Sequence, residues 1–340
     1  MPPCHEDNRS FFEKLQNAEG LDLRDNRGKK HDLAVVLVGV TLALLSHRDG
    51  SLSSIHRHLK NHYARLMRAL ELEPKSAVSR AQLPRVLEKV SVEVFDRLIF
   101  ESFGIKLNPE QQQWFAVDGK ELRGSIQAGA KRGEAVVQAI GHETLQVQSQ
   151  TYYSGNKESE VPAVRQLLKD NGLCQEKISL DALHCKPQTL EPIAVGGGIY
   201  LVGLKENQKE MFWEVQEMIG YLPCLYETES LEKGHGRIEQ RKYQVSDISQ
   251  IYQDQRWHKC HIRRAVKVRR ERVEIKSGKQ SVETSYYLSN ETTNLAQLCQ
   301  AVRKHWSVET NNHIRDVTLK EDDLRVKKRV QIEFWQQSGR

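Results

Sequence analysis

Trp114-Phe115-Ala116-Val117-Asp118-Gly119-Lys120 sets an apolar, strand-like run directly against an aspartate. Further along, Ile178-Ser179-Leu180-Asp181 does the same. An ionised carboxylate at the end of a buried strand is costly unless it is paired or bound to a metal ion. With Glu309, from the later stretch His305-Trp306-Ser307-Val308-Glu309-Thr310, the two aspartates can converge on divalent cations. Phosphodiester cleavage needs an activated water or 3′-hydroxyl and charge compensation on the departing oxygen, and two metal ions about 4 Å apart supply both. DNA is therefore the expected substrate. Three acidic groups with no Cys/His cluster favour oxygen-seeking Mg²⁺, or Mn²⁺, over Zn²⁺.

Around these residues the pattern is that of a mixed α/β sheet. Gln113–Asp118, Ala135–Gly141 and Leu145–Tyr153 are short Val-, Ile- and Tyr-rich runs bounded by glycine and polar turns. A helix is expected over Glu158–Asp170, then a strand at Lys177–Asp181, a helix near Pro187–Val195 and a strand at Ile199–Leu204. Residues 205 to about 290 interrupt the alternation and read as a largely β insertion. Within it, Val266–Lys276 and Ser281–Ser289 form a hairpin through Ser277-Gly278-Lys279. One helix is then expected to run from Leu295 through Trp306 and Glu309.

Residues 1 to about 105 read as helical. Asp32 caps an apolar helix over 33–46, and Ile55, Leu59, Tyr63, Leu66 and Leu70 fall at helical spacing in the next segment. Exposed Arg and Lys on such helices suit a module that binds DNA ends; a plain helical packing segment is the other reading.

Composition sets outer bounds. The 340 residues carry 51 Lys+Arg against 45 Asp+Glu, a net charge of +6, compatible with nucleic acid without requiring it. Six cysteines without a CxxC pair suit a reducing cytoplasm, and no targeting segment is visible. The longest apolar run, Leu33 to Leu45, has 13 residues, against the roughly 20 that a membrane-crossing helix needs, so no membrane role is expected.

Val117-Asp118-Gly119-Lys120-Glu121-Leu122-Arg123-Gly124-Ser125 resembles the first catalytic motif of DDE transposases from bacterial insertion sequences. The similarity is to ISAs-type enzymes and the H-repeat-associated proteins linked to Rhs elements. It continues through Asp181-Ala182-Leu183-His184, Leu204-Lys205-Glu206-Asn207-Gln208 and Gly234-His235-Gly236-Arg237-Ile238-Glu239. It ends with Arg303-Lys304-His305-Trp306-Ser307-Val308-Glu309 and Asp316-Val317-Thr318-Leu319-Lys320-Glu321-Asp322, so the order holds over roughly 20–325.

The resemblance implies a helical transposase-associated domain at 1–105 and an RNase H-like catalytic domain at 106–325 whose β-rich insertion spans about 205–290. It implies Asp118, Asp181 and Glu309 as catalytic ligands of two Mg²⁺ (or Mn²⁺) ions, double-stranded DNA as partner and substrate, and a homo-oligomer on the element ends. A cytoplasmic, nucleoid-associated location goes with that activity.

Other residues carry two readings each. Lys120 and Arg123 either reach a phosphate or balance charge near Asp118. His184 either serves the metal site or is structural. Lys205, Asn207 and Gln208 leave a strand end on what the family pattern makes a DNA-binding face. His235 and Arg237 form either a phosphate clamp or a surface hairpin. Arg303 and His305 stand before Glu309 and are candidates for the scissile phosphate, whereas Trp306 reads as core. Nine Lys or Arg between Lys259 and Lys279 give one strand a basic stripe that either tracks the DNA backbone or is merely solvated.

Two departures from the family pattern stand out. Thr310 and Ile314 replace its Asn and Trp, and 326–340 lacks a long apolar helix and reads as a truncated end. The alternatives to a working transposase are therefore a catalytically inactive remnant that only binds DNA, and a metal-dependent host nuclease.

Overall fold

The computed structural model describes residues 9–46, 51–73, 75–103, 111–123, 126, 131–153, 157–251 and 254–318. The segment 326–340 lies outside the described residues.

Five helices come first: α1 (Phe11–Asn17), α2 (Leu33–Ser46), α3 (Leu52–Ala69), α4 (Leu83–Leu87) and α5 (Val92–Phe103). Ser10 and Glu13 make a reciprocal capping box at the start of α1. The Asp32 carboxylate accepts from the Ala34 and Val35 amides (2.8 and 3.3 Å), which fixes where α2 begins. α2 carries no charge and is buried for most of its length, so it forms the centre of the helical segment. α3 is amphipathic, burying Ile55, Leu59, Tyr63 and Met67. Its close approach to α2 depends on Gly39, where a Cβ would lie 2.2 Å from Leu59 Cδ1. The same core takes in Leu122 and Val136, which joins the helices to the sheet that follows.

That sheet has nine strands in the order β3-β2-β1-β4-β5-β9-β8-β7-β6. They are β1 (Trp114–Glu121), β2 (Ala135–Gly141), β3 (Val147–Tyr153), β4 (Lys177–Leu180), β5 (Ile199–Leu204), β6 (Cys224–Gly234), β7 (Arg237–Asp247), β8 (Arg264–Glu274) and β9 (Gln280–Ser289). β1, β2 and β3 are antiparallel, whereas β1, β4 and β5 run parallel through helical crossovers. The crossovers are α6 (Lys157–Asp170) and α7 (Pro187–Val195), whose Val164, Leu167, Leu190 and Ile193 pack on Phe115 and Val117. The opposite face of the sheet is covered by α9 (Leu295–Lys304) and α10 (Ser307–His313). There Leu298 and Val302 join Trp114 and Leu201, and Val308 joins Ala116 and Ile140.

The insertion begins with α8 (Lys209–Met218) and then extends the same sheet, because β9 pairs with β5. β6 and β7, which sequence pattern alone does not locate, turn at His235-Gly236. Both residues have positive φ (48° and 75°), the geometry of a two-residue hairpin turn. The helix expected to run unbroken into Glu309 is interrupted at His305-Trp306, where Trp306 and Val308 bond back only three residues. No helix among the described residues is long and apolar enough to cross a membrane.

Gly39→Val should destabilise the protein by about 1–3 kcal/mol, the usual cost of forcing extra bulk into a packed contact. Urea unfolding measures it; an unchanged midpoint would mean that α2 and α3 are not in close contact.

Candidate active site

Parallel pairing of β1 with β4 sets Val117 opposite Leu180, so Asp118 and Asp181 are the next residues on neighbouring strands. Asp181 caps a 3-10 turn, accepting from the Leu183 amide at 2.9 Å. The turn swings His184 back into the interior, where it is fully buried. Its Nε2 lies 3.3 Å from Glu160 Oε1 and 3.7 Å from Asp181 Oδ1. Glu160 in turn accepts from the Tyr153 hydroxyl at 3.0 Å. Gly119 makes room for this pair, since a Cβ there would stand 2.6 Å from Tyr153 Oη and 2.7 Å from Glu160 Cδ. Glu160 has no sequence signal of its own: it sits in a helix whose pattern shows only an apolar face.

Burial, then the Asp181 charge and, more weakly, that of Glu160, push the Asp118 carboxyl up to about 7. Two adjacent strand-end carboxylates, one of them held this unfavourably when ionised, fit a hard divalent cation. Their donors are all oxygen, which suits Mg²⁺ or Mn²⁺.

The other face of the strand end is closed by helix and sheet polar groups. Gln138, directly opposite Asp118 on β2, donates to Gln150 Oε1 at 3.0 Å and accepts from Arg315. Lys120 is buried and pairs with Asp316 at 2.5 Å. Arg123 lies exposed just beyond β1. Lys205 is exposed at the end of β5, whereas Asn207 and Gln208 tie that loop to the Asp181 turn by donating to the Ala182 and Cys185 carbonyls (2.5 and 2.9 Å).

His305 joins the site from below. Its Nδ1 lies 2.9 Å from Ser179 Oγ, which lies 2.8 Å from His142 Nε2. His142 stacks on Trp114 with ring centroids 5.6 Å apart. Burial drives both imidazoles down, His142 to about 3 and His305 to about 4, so both are neutral near pH 7.

Glu309 is exposed on α10 and lines a cavity of about 940 Å³ together with His235, Arg237, Arg241, Arg270, Arg272 and Arg303. Among the described residues, no group of three or more His, Cys, Asp or Glu is arranged to hold a metal ion. Asp118 and Asp181 thus stand side by side, and Glu309 does not complete a three-carboxylate group with them. Trp306, expected in the core, is 45% exposed and lines the same cavity.

The cavity's arginines are engaged. Glu232 accepts from Arg303 Nε and Nη2 (both 3.0 Å) and lies 3.2 Å from Arg241 Nη1; the Arg303 hydrogen bond holds its acid low. The buried Glu239 meets Arg237 (2.7 Å), Arg272 (3.0 Å) and Arg241. On the basic stripe of β8, Arg269 and Arg270 pair with Glu271 and Glu283.

Residues 98–335 match the family described as a transposase DDE domain. The chain is 25% identical over 256 residues to the candidate transposase YncI of Escherichia coli O157:H7, covering 72% of this chain and 65% of that protein. It is 29% identical over 224 residues to the H repeat-associated candidate transposase YhhI of Escherichia coli K12, covering 63% and 58%. An uncharacterized protein from the dhlA 3′ region of Xanthobacter autotrophicus is 28% identical over 167 residues, covering 48% and 56%. The chain therefore matches less than two thirds of the length of each of these relatives.

The buried histidines give a pH prediction. A folded-state pKa of about 3 for His142 against about 6.5 unfolded means that only the unfolded chain gains this proton as pH falls below 6.5. The stability present above pH 6.5 is then lost towards pH 3, by up to about 1.4 kcal/mol per pH unit for this group. His142→Asn should lower stability at pH 7.5 yet flatten the decline between pH 6 and 4. Chemical denaturation across that range tests it; parallel curves for the two proteins would show that His142 titrates normally.

Proposed function

Because the chain belongs to the transposase DDE-domain family, we propose that it is a DNA transposase that cuts and joins strands at the ends of an insertion element. The observation that carries this reading is the pairing of β1 with β4, which puts Asp118 and Asp181 at neighbouring strand ends. The strand order β3-β2-β1-β4-β5, antiparallel then parallel, supports an RNase H-like core for the catalytic part.

Asp118 and Asp181 would hold Mg²⁺ or Mn²⁺; Glu309, the third ligand that the resemblance implies, would complete the set only if α10 brought it to them. Bound there, the metal would lower the pKa of the attacking water or 3′-hydroxyl and offset charge on the scissile phosphate. The Leu183 amide orients Asp181, and Gly119 lets Glu160 and Tyr153 pack behind Asp118. The Asn207 and Gln208 side chains keep the Asp181 turn in place. The arginines around Glu309 are suited to the backbone of a DNA strand entering the cavity. The substrate implies a nucleoid-associated, cytoplasmic protein working as a homo-oligomer on paired ends.

One observation favours a second reading, a protein that binds ends without cutting them. Glu309 lines the arginine-rich cavity and makes no three-carboxylate group with the aspartates. A host nuclease would use the same aspartates but leave no joined product.

The deciding experiment incubates the full chain, and Asp118→Ala, with Mn²⁺, DNA carrying the flanking element ends and a target plasmid. Joined products lost by at least about a hundredfold in the variant are expected for a transposase. Cutting without joining would support the nuclease, and binding alone, equal in both proteins, the inactive remnant. Separately, Mn²⁺ should raise the melting temperature of the wild type and leave that of Asp118→Ala/Asp181→Ala unmoved. An equal rise in both would place the metal elsewhere.

A further inference from the structure

Among the five helices α1 to α5, positive charge is concentrated on one element. α3, from Leu52 to Ala69, contains Arg57, Lys60, Arg65 and Arg68 and no acidic residue. Its neighbours differ: α2 carries no charge, and α5 holds Glu93, Asp96 and Glu101 against Arg97 alone. Burial of Ile55, Leu59, Tyr63 and Met67 against the core fixes how α3 is rotated. Arg57, Lys60, Asn61, Arg65 and Arg68 are exposed, and their spacing places them on one outward face. Asn61 sits mid-face with Arg57 one turn before it and Arg65 one turn after, and the small Ala64 beside it leaves the surface open to close approach.

The cations of α3 contrast with the other basic surfaces. The arginines of the cavity and of β8 are held by Glu232, Glu239, Glu271 and Glu283. Among the described residues, Arg57, Lys60, Arg65 and Arg68 are in no ion pair. A helix with a rigidly seated apolar side, an outward row of unpaired cations and a central amide has the charge and width for the major groove of a duplex.

We propose that α3 is a double-stranded-DNA-binding helix, with Arg57, Lys60, Arg65 and Arg68 on phosphates and Asn61 at base edges. The inference rests on the reading of the protein as a transposase only in its choice of DNA as partner. It assigns recognition to an element remote in sequence from the carboxylates.

The test is fluorescence anisotropy of the full chain on two labelled duplexes of equal length across a range of salt. One carries the genomic sequence flanking the coding segment, the other a mixed sequence. Arg57→Ala/Arg65→Ala/Arg68→Ala should weaken binding to both duplexes roughly tenfold or more, and lower the slope of log K against log salt by about 0.9 per lost contact. The matching triple Lys variant should restore mixed-sequence binding, which a merely misfolded helix would not allow. Asn61→Ala should weaken binding to the flanking duplex alone, by about five- to a hundredfold. Circular dichroism and melting temperature confirm that each variant is folded.

A folded triple Ala variant with wild-type affinity and salt slope would overturn the proposal. Equal losses on both duplexes for Asn61→Ala would overturn the base-edge assignment. The two functional claims fail separately. Weakened binding by the α3 variants, with no cleavage by the wild type, leaves this proposal standing and sinks the catalytic one. Cleavage by the wild type, with unchanged binding by the α3 variants, does the reverse.

Discussion

The candidate site depends on a backbone constraint, the parallel register of β1 on β4. With Val117 opposite Leu180, the two chains leave the sheet side by side, and each continues into an aspartate. Parallel strands need a crossover, so this register holds only while α6 packs across Phe115 and Val117. α6 also carries Glu160, and Gly119 is the residue that lets it come so close. Packing and chemistry are coupled here: the helix that closes the crossover also brings a third negative charge near Asp118. Apolar burial of the strands offsets the cost of crowding carboxylates at their ends.

The parts of this arrangement legible in the sequence are those whose apolar pattern is local. β5, α2 and α7 were expected at their observed limits, and β4 to within one residue, because their residues are buried against neighbours close in the chain. The aspartates were legible because a charge directly after an apolar strand is conspicuous. β6 and β7 were not, since β6 is an edge strand with little buried surface and many charges, and its Leu231 is 72% exposed. Its half-buried positions alternate with exposed ones but are Tyr226, Thr228, Ser230 and Glu232, so no apolar alternation marks the strand; its pairing with β7 does. Glu160 was hidden for a different reason. Its role follows from how α6 lies on the sheet, which no spacing within the helix records. The break at His305-Trp306 was likewise invisible, because the residues continue a helical pattern while His305 is held by Ser179 across the core.

The insertion strands illustrate how a basic sequence run differs from a basic surface. Read along the chain, 259–279 is a stripe of cations. Folded, Arg269, Arg270 and Arg272 each find a carboxylate, two of them on neighbouring strands. Glu239 is the centre of this organisation. A buried glutamate facing three guanidinium groups is tolerable only because each contact is charge-assisted, and losing one partner would leave charge stranded in the sheet. The network therefore sets the β6–β7 hairpin over α9, where Arg303 reaches Glu232.

The two kinds of cationic surface are suited to different tasks. A phosphate approaching the cavity competes with Glu232 and Glu239 for the same guanidinium groups, and gains only the difference between two charge-assisted contacts. Entry is then favourable chiefly for a strand that engages several arginines at once. On α3 a phosphate displaces water and counterions, so capture there is favourable at each single contact and sensitive to salt. On the proposed reading, a chain that held DNA first by an unpaired helix, and only then admitted it to a cavity of paired arginines beside Glu309, would separate capture from placement. The same paired arginines would discourage stray anions from settling next to the carboxylates, since an isolated phosphate cannot recover what it displaces.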